Sequence, residues 1–166
     1  FTGKAWQGGP ATPDVKLGWA ILRADGGHPG GPHGVVVYRW TAPHDGRFSV
    51  TGSLNHPSAQ GNGIEGIISV PSCEFVTRWP VKHGKKQTVT GPFQVAAGDH
   101  VDLFVDGRTD IAFDSFNWSV EILNLDNPAE RWPVASQFRG PLPNALNGWE
   151  MLAQALMLSN ECQFVD

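Results

Sequence analysis

The run Val35-Val36-Val37-Tyr38-Arg39-Trp40-Thr41, the break Ala42-Pro43-His44-Asp45-Gly46 and the run Arg47-Phe48-Ser49-Val50-Thr51-Gly52 decide how this chain is read. The first run is β-branched and aromatic, the composition that suits a pleated, half-buried surface. The break is a turn: Pro43 sets one φ and Gly46 allows a positive one. In the second run Phe48, Val50 and Gly52 alternate with Arg47, Ser49 and Thr51, the period of two that marks a half-buried strand. Together the two runs read as a hairpin.

The same pattern continues outward from there. A polar loop at Asn55–Gly63 precedes a strand at Ile64–Val70. Phe75, Thr77 and Trp79 then alternate into Pro80, and a hairpin tip at His83–Lys86 leads to Thr88–Val95. After the tight turn Ala97-Gly98-Asp99, Val101, Leu103 and Val105 alternate with Asp102, Phe104 and Asp106. A loop from Gly107 to Asp114 opens onto Phe116, Trp118, Val120 and Ile122, which share one face. Seven or eight short strands with no helix between them make an all-β antiparallel β-sandwich or barrel. Upstream, residues 1–34 are rich in turn formers around a short apolar piece, Leu17–Leu22. The glycine- and proline-rich run Gly26–Gly34 excludes helix and central strand.

The chain changes character after about Asn124. Residues 124–148 read as a linker packing across the surface, and Trp149–Glu161 reads as a helix, with Asn147 and Glu150 as its capping signal. That helix is apolar around most of its circumference, so it expects partners on several sides. The expected organisation is a β-sandwich module over 1–124 and a linker with a helical tail over 125–166, from a larger parent protein.

Composition supports this and excludes other classes. Of 166 residues only 17% are charged, while 20 Gly and 13 Pro suit many short strands and turns. Seven Trp and nine Phe supply buried surface that a disordered chain lacks. A net charge of −4 with no basic stripe argues against nucleic acid. No run of about 18 apolar residues offers a bilayer-spanning helix. Cys73 and Cys162 lack metal-type spacing; a disulfide is open to them, but two separate buried thiols is the favoured reading.

The segments Tyr38–Gly46, Gly61-Asn62-Gly63-Ile64, Ala97–Leu103 and Asp114-Ser115-Phe116-Asn117-Trp118 occur in an order that resembles a class of jelly-roll modules. Such modules accompany polysaccharide-processing enzymes and bacterial surface proteins, and the resemblance covers residues 15–122. The closing segment, Trp149-Glu150, Leu158-Ser159-Asn160-Glu161 and Phe164-Val165-Asp166, is similar to the C-terminus of large planctomycete proteins. Those carry a planctomycete-type cytochrome c domain and a planctomycete-specific domain. This resemblance implies an exported multidomain parent. The Cys-x-x-Cys-His haem motif is absent from these residues, so no cytochrome chemistry carries over.

No nucleophile elbow, phosphate loop, zinc-helix motif or dinucleotide fingerprint occurs, so the expectation is a non-catalytic module. Asp106, Asp110 and Asp114 supply hard oxygens near one loop and are the candidate ligands for a structural Ca²⁺, as many jelly-roll binding modules hold. Read as an acid/base pair, the same carboxylates would suit a glycosidase, the less favoured alternative. His28 and His33 flank the glycine-rich loop, where they suit a sugar site or a transition metal.

Sugar rings stack their apolar faces on exposed aromatics while polar side chains hold their hydroxyls. Trp40 and Trp118 read as core and Trp149 as tail. That leaves Trp6, Trp19, Trp79 and Trp132, of which Trp79 at a strand end is favoured. The expected function is binding of a polysaccharide or oligosaccharide through loops at one end of the sandwich, with His28, Trp79, Arg108 and Asp110 as contacts. Arg108 can fork to two acceptors, which suits sulfated or uronic sugars. The other open reading is a structural module packing against further domains of the parent protein.

Overall fold

The computed structural model describes residues 1–31 and 34–141. His33, Cys162 and the expected tail helix at Trp149–Glu161 lie outside the described residues. Among the described residues there are twelve strands: β1 (Ala5–Gln7), β2 (Ile21–Arg23), β3 (Gly26–His28), β4 (Val36–Thr41), β5 (Gly46–His56), β6 (Ile64–Val70), β7 (Phe75–Val81), β8 (Gly84–Gln87), β9 (Phe93–Val95), β10 (His100–Asp106), β11 (Phe116–Asn124) and β12 (Arg131–Pro133), with one short helix, α1 (Val134–Gln137).

Two antiparallel sheets pack face to face. One runs β1-β2-β3-β11-β5-β8, with β9 also on β5 and β12 on β11; the other runs β4-β10-β6-β7. The chain switches sheets at most links between β3 and β11, and the orders β3-β11-β5-β8 and β4-β10-β6-β7 are those of a jelly roll. The expected all-β sandwich is therefore what forms.

Alternation explains which residues meet in the middle. On β11, Phe116, Trp118, Val120 and Ile122 are buried while Asn117 and Ser119 face out. On β5 the fully buried apolar residues are Phe48, Val50 and Leu54; on β6 they are Ile64, Ile68 and Val70. Leu54 fills the space over Gly66: a Cβ built there would stand 2.5 Å from the Leu54 Cδ2 and 3.4 Å from the Trp118 ring. The Trp118 indole N–H, buried with the core, donates to Thr88 Oγ1 at 3.0 Å. The one deeply buried carboxylate in the middle of a strand, Asp102, is forked by Arg39 at 2.7 and 2.8 Å.

Three expectations are corrected. The runs Val35–Thr41 and Arg47–Gly52 do not form a hairpin, because β4 pairs β10 while β5 pairs β11. Both runs carry apolar faces, and setting them in opposite sheets lets each cover the other. The glycine-rich run does supply a central strand: β3 lies between β2 and β11. Its glycines are what permit this, since a Cβ on Gly26 would meet the Phe116 carbonyl at 2.2 Å and one on Gly27 the Ile21 carbonyl at 2.1 Å. The linker also belongs to the sandwich past Asn124. Trp132 packs on Trp40 and Phe48 at 5.3 and 5.8 Å between ring centroids, and Val134 is buried, its carbonyl accepting from the Tyr38 hydroxyl.

Smaller differences follow from the same pairings. Gly84–Gln87, expected in a hairpin tip, forms an outer strand on β5. Cys73 is exposed in a 3-10 turn at Pro71–Cys73, where a buried thiol was expected.

Candidate functional site

Strand register gathers the loops. Phe116 lies opposite Gly27, Asn117 opposite Asn55, His56 opposite Gly84, Ile64 opposite Val81, and Asp106 opposite Glu65. The links 29–35, 57–63, 82–83 and 107–115 therefore all leave the same end of the sandwich.

Backbone strain concentrates there. Four non-glycine residues have positive φ among the described residues, and three of them, His83, Arg108 and Phe113, are in these links. A bulky residue in the left-handed region costs energy and persists only where its surroundings hold it. Phe113 is the notable case: its φ is 70° and its ring is 55% exposed, so neither conformation nor burial favours a phenyl group at this position.

Phe113 shares a groove of about 510 Å³ with Trp19, 49% exposed; the lining includes His28, Asp110, Ile111 and Ser115, and the volume is that of a small-ligand site. The Trp19 and His28 rings are 6.2 Å apart between centroids. His28 Nδ1 lies 2.6 Å from the Pro29 carbonyl; a carbonyl only accepts, so Nδ1 carries the proton and Nε2 of the neutral ring is an acceptor. Asp110 Oδ1 accepts from the Ala112 N–H at 2.9 Å, which shapes the loop tip; the residue is otherwise exposed.

Beneath this loop lies a polar pair that the sequence did not signal. His56 and Asp114 are both fully buried, with His56 Nε2 3.4 Å from Asp114 Oδ1. The His83 N–H donates to His56 Nδ1, so the neutral ring has its proton on Nε2, facing the carboxylate. Both Asp114 oxygens and His56 Nε2 lack a hydrogen-bond partner among protein groups. Burial raises the Asp114 pKa above the ordinary carboxylate value, opposed by the nearby His56. Gly61 and Gly107 press against this carboxylate: a Cβ would come within 3.4 and 2.8 Å of its oxygens. Gly61 also has a φ of +89°, and a Cβ there would meet the Ala112 carbonyl at 2.6 Å, so a side chain is excluded there on two counts.

The expected site residues divide. His28 and Asp110 line the groove. Arg108 stands beside it, its guanidinium donating to the Asn62 carbonyl at 3.3 Å. Trp79 is corrected to a core residue, 8% exposed, because it takes an inward position on β7 opposite Gly66. Among the other indoles considered, Trp132 covers the core and Trp6 is exposed at 40%, away from this groove, with its N–H on the Arg139 carbonyl. Phe113 went unnoticed in the sequence, although a large aromatic in a polar loop outside any alternation was its available signal.

The three aspartates expected to hold calcium have different surroundings. Asp106 Oδ1 accepts from the Arg108 N–H at 2.7 Å, Asp110 holds the Ala112 N–H, and Asp114 is buried against His56. Among the described residues no three His, Cys, Asp or Glu side chains gather as a metal cluster. Also among them, no helix is long and apolar enough to cross a membrane.

No family model matches this chain, and no curated protein matches it.

Proposed function

We propose that this module binds carbohydrate in the loop-end groove lined by Trp19 and Phe113, without turning it over. The observation that carries this reading is Phe113, an exposed aromatic on a strained backbone that lines a ligand-sized groove together with a second exposed aromatic, Trp19. Two aromatic faces suit the apolar faces of sugar rings, and His28, Asp110 and Ser115 suit their hydroxyls. Export of the parent protein belongs to the same reading, through the resemblance of its segments.

The test is titration of the full chain against a glycan panel that includes neutral, amino, uronic and sulfated polysaccharides, with calcium and with EDTA. Saturable binding without product release is expected. Trp19→Ala and Phe113→Ala each weaken it about tenfold or more, from the loss of roughly 1.5–3 kcal/mol of aromatic burial. Unchanged affinity in both variants refutes the groove, and EDTA sensitivity would return a metal to the site.

One observation favours a second reading, an interaction module. β4 is an edge strand, and beside it Trp6, Leu17, Val35 and Val37 are 40%, 53%, 42% and 39% exposed around a groove of about 650 Å³. A free strand edge with an apolar flank suits contact with another domain. A negative result across the whole glycan panel, with the protein folded, selects this reading.

A further inference from the structure

We propose that the ligand of the Trp19–Phe113 groove is an amino sugar recognised through its protonated amine, an inference that rests on the carbohydrate-binding reading. The chemistry of the lining points this way. No lysine or arginine lines the groove, while Asp110 does. The Arg108 side chain, the one cation on the adjoining loop segment, is turned to the Asn62 carbonyl and is outside the lining. A second carboxylate, Asp114, is buried beneath the same loop with neither oxygen hydrogen-bonded to a protein group.

The lining is also short of fixed donors. Asp110 accepts only, and it keeps one oxygen free of protein partners. The proton on His28 Nδ1 is held by the Pro29 carbonyl, which leaves the neutral ring an acceptor at Nε2. The side-chain donors in the lining are the Trp19 indole N–H and the Ser115 hydroxyl, and the hydroxyl accepts as well. An ammonium group brings three donors and no acceptor, and it is attracted to the faces of Trp and Phe rings as well as to the carboxylate. Uronic and sulfated sugars bring a negative charge that Asp110 repels, and their anionic groups gain nothing from the faces of the two rings. The earlier expectation of an acidic sugar depended on Arg108, which the loop directs elsewhere.

The experiment is calorimetric titration of the full chain with four hexasaccharides: glucosamine, N-acetylglucosamine, glucose and glucuronate. Methylammonium and tetramethylammonium serve as amine-only probes. The expected result is at least tenfold preference for the glucosamine hexamer, reduced with rising salt. Asp110→Asn keeps the acceptor that holds the Ala112 N–H, so the loop stays in place; it is expected to abolish the preference by weakening the glucosamine hexamer at least tenfold more than the glucose hexamer. Equal affinity for the glucosamine and glucose hexamers, or a preference for glucuronate, overturns this proposal while the carbohydrate reading stands. Binding of the amine-only probes with no sugar bound overturns both, and so does binding of nothing on the panel.

Discussion

Leu54 and Gly66 face each other across the two sheets, and their contact can be tested as a pair. A methyl group on Gly66 would sit 2.5 Å from the Leu54 Cδ2, against about 3.5–4.0 Å for an ordinary carbon contact. Leu54 has little room to move aside, because it is fully buried and the Trp118 ring lies 3.4–3.5 Å from the same point. Gly66→Ala is therefore an overpacking change, expected to cost about 1–3 kcal/mol. Leu54→Ala removes the buried side chain instead and costs about 3–5 kcal/mol through lost burial and the cavity left behind. In the double variant the new methyl enters the space that Leu54 vacated. Its cost should fall below the sum of the single costs by about 1–3 kcal/mol. Urea unfolding followed by tryptophan fluorescence reads all three values, provided the denaturant slope is unchanged. By melting temperature, each kcal/mol corresponds to about 2–4 °C for a chain of this length. Additive costs, or a neutral Gly66→Ala, would refute the packing of β5 against β6, and with it the register that sets the loops around the groove.

Two further outcomes follow from the loop end. Asp114 is buried and its folded pKa is raised above the unfolded value, so the native state holds its proton more tightly. Its ionisation therefore costs stability as pH rises from the unfolded carboxylate value through the raised one, and costs nothing below both. Asp114→Asn, which mimics the neutral form, should be more stable than the parent at neutral pH. That advantage should vanish below about pH 4, near the unfolded carboxylate value; a loss of stability at neutral pH in urea titrations would show that the carboxylate is needed charged. Gly27→Ala places a methyl against the Ile21 carbonyl and should cost about 3 kcal/mol by detaching β3. It should also weaken groove binding, because His28 ends that strand, and wild-type binding in a folded Gly27→Ala variant would argue against His28 as a contact.

The strands themselves were legible along the chain, because the pleat gives every residue a side fixed by its neighbours one and two positions away. That is why β5, β6, β10 and β11 and their inward residues could be read directly. It is also why Trp40 and Trp118 were recognised as core. Which sheet each strand joins was not legible, since β4 and β5 are adjacent in sequence yet pair with β10 and β11. Pairing is decided by burial over the whole domain, after loops far apart in sequence have closed.

The groove divides along the same line. His28 and Asp110 drew attention because polar residues in turn-rich loops carry a chemical signal of their own. Trp79 was expected at the site and is core, while Phe113, which the sequence reading passed over, lines the groove. The indole at the strand end turned inward opposite Gly66, and the phenyl in the loop stayed out on a positive φ. Exposure of an aromatic depends on what the rest of the chain places over it, and the burial of Asp114 against His56 depends on three loops meeting. Alternation along the chain thus determined that this protein is an antiparallel sandwich. Only the tertiary structure decided where its exposed aromatics and carboxylates converge, because that convergence is set by register between strands that the sequence keeps far apart.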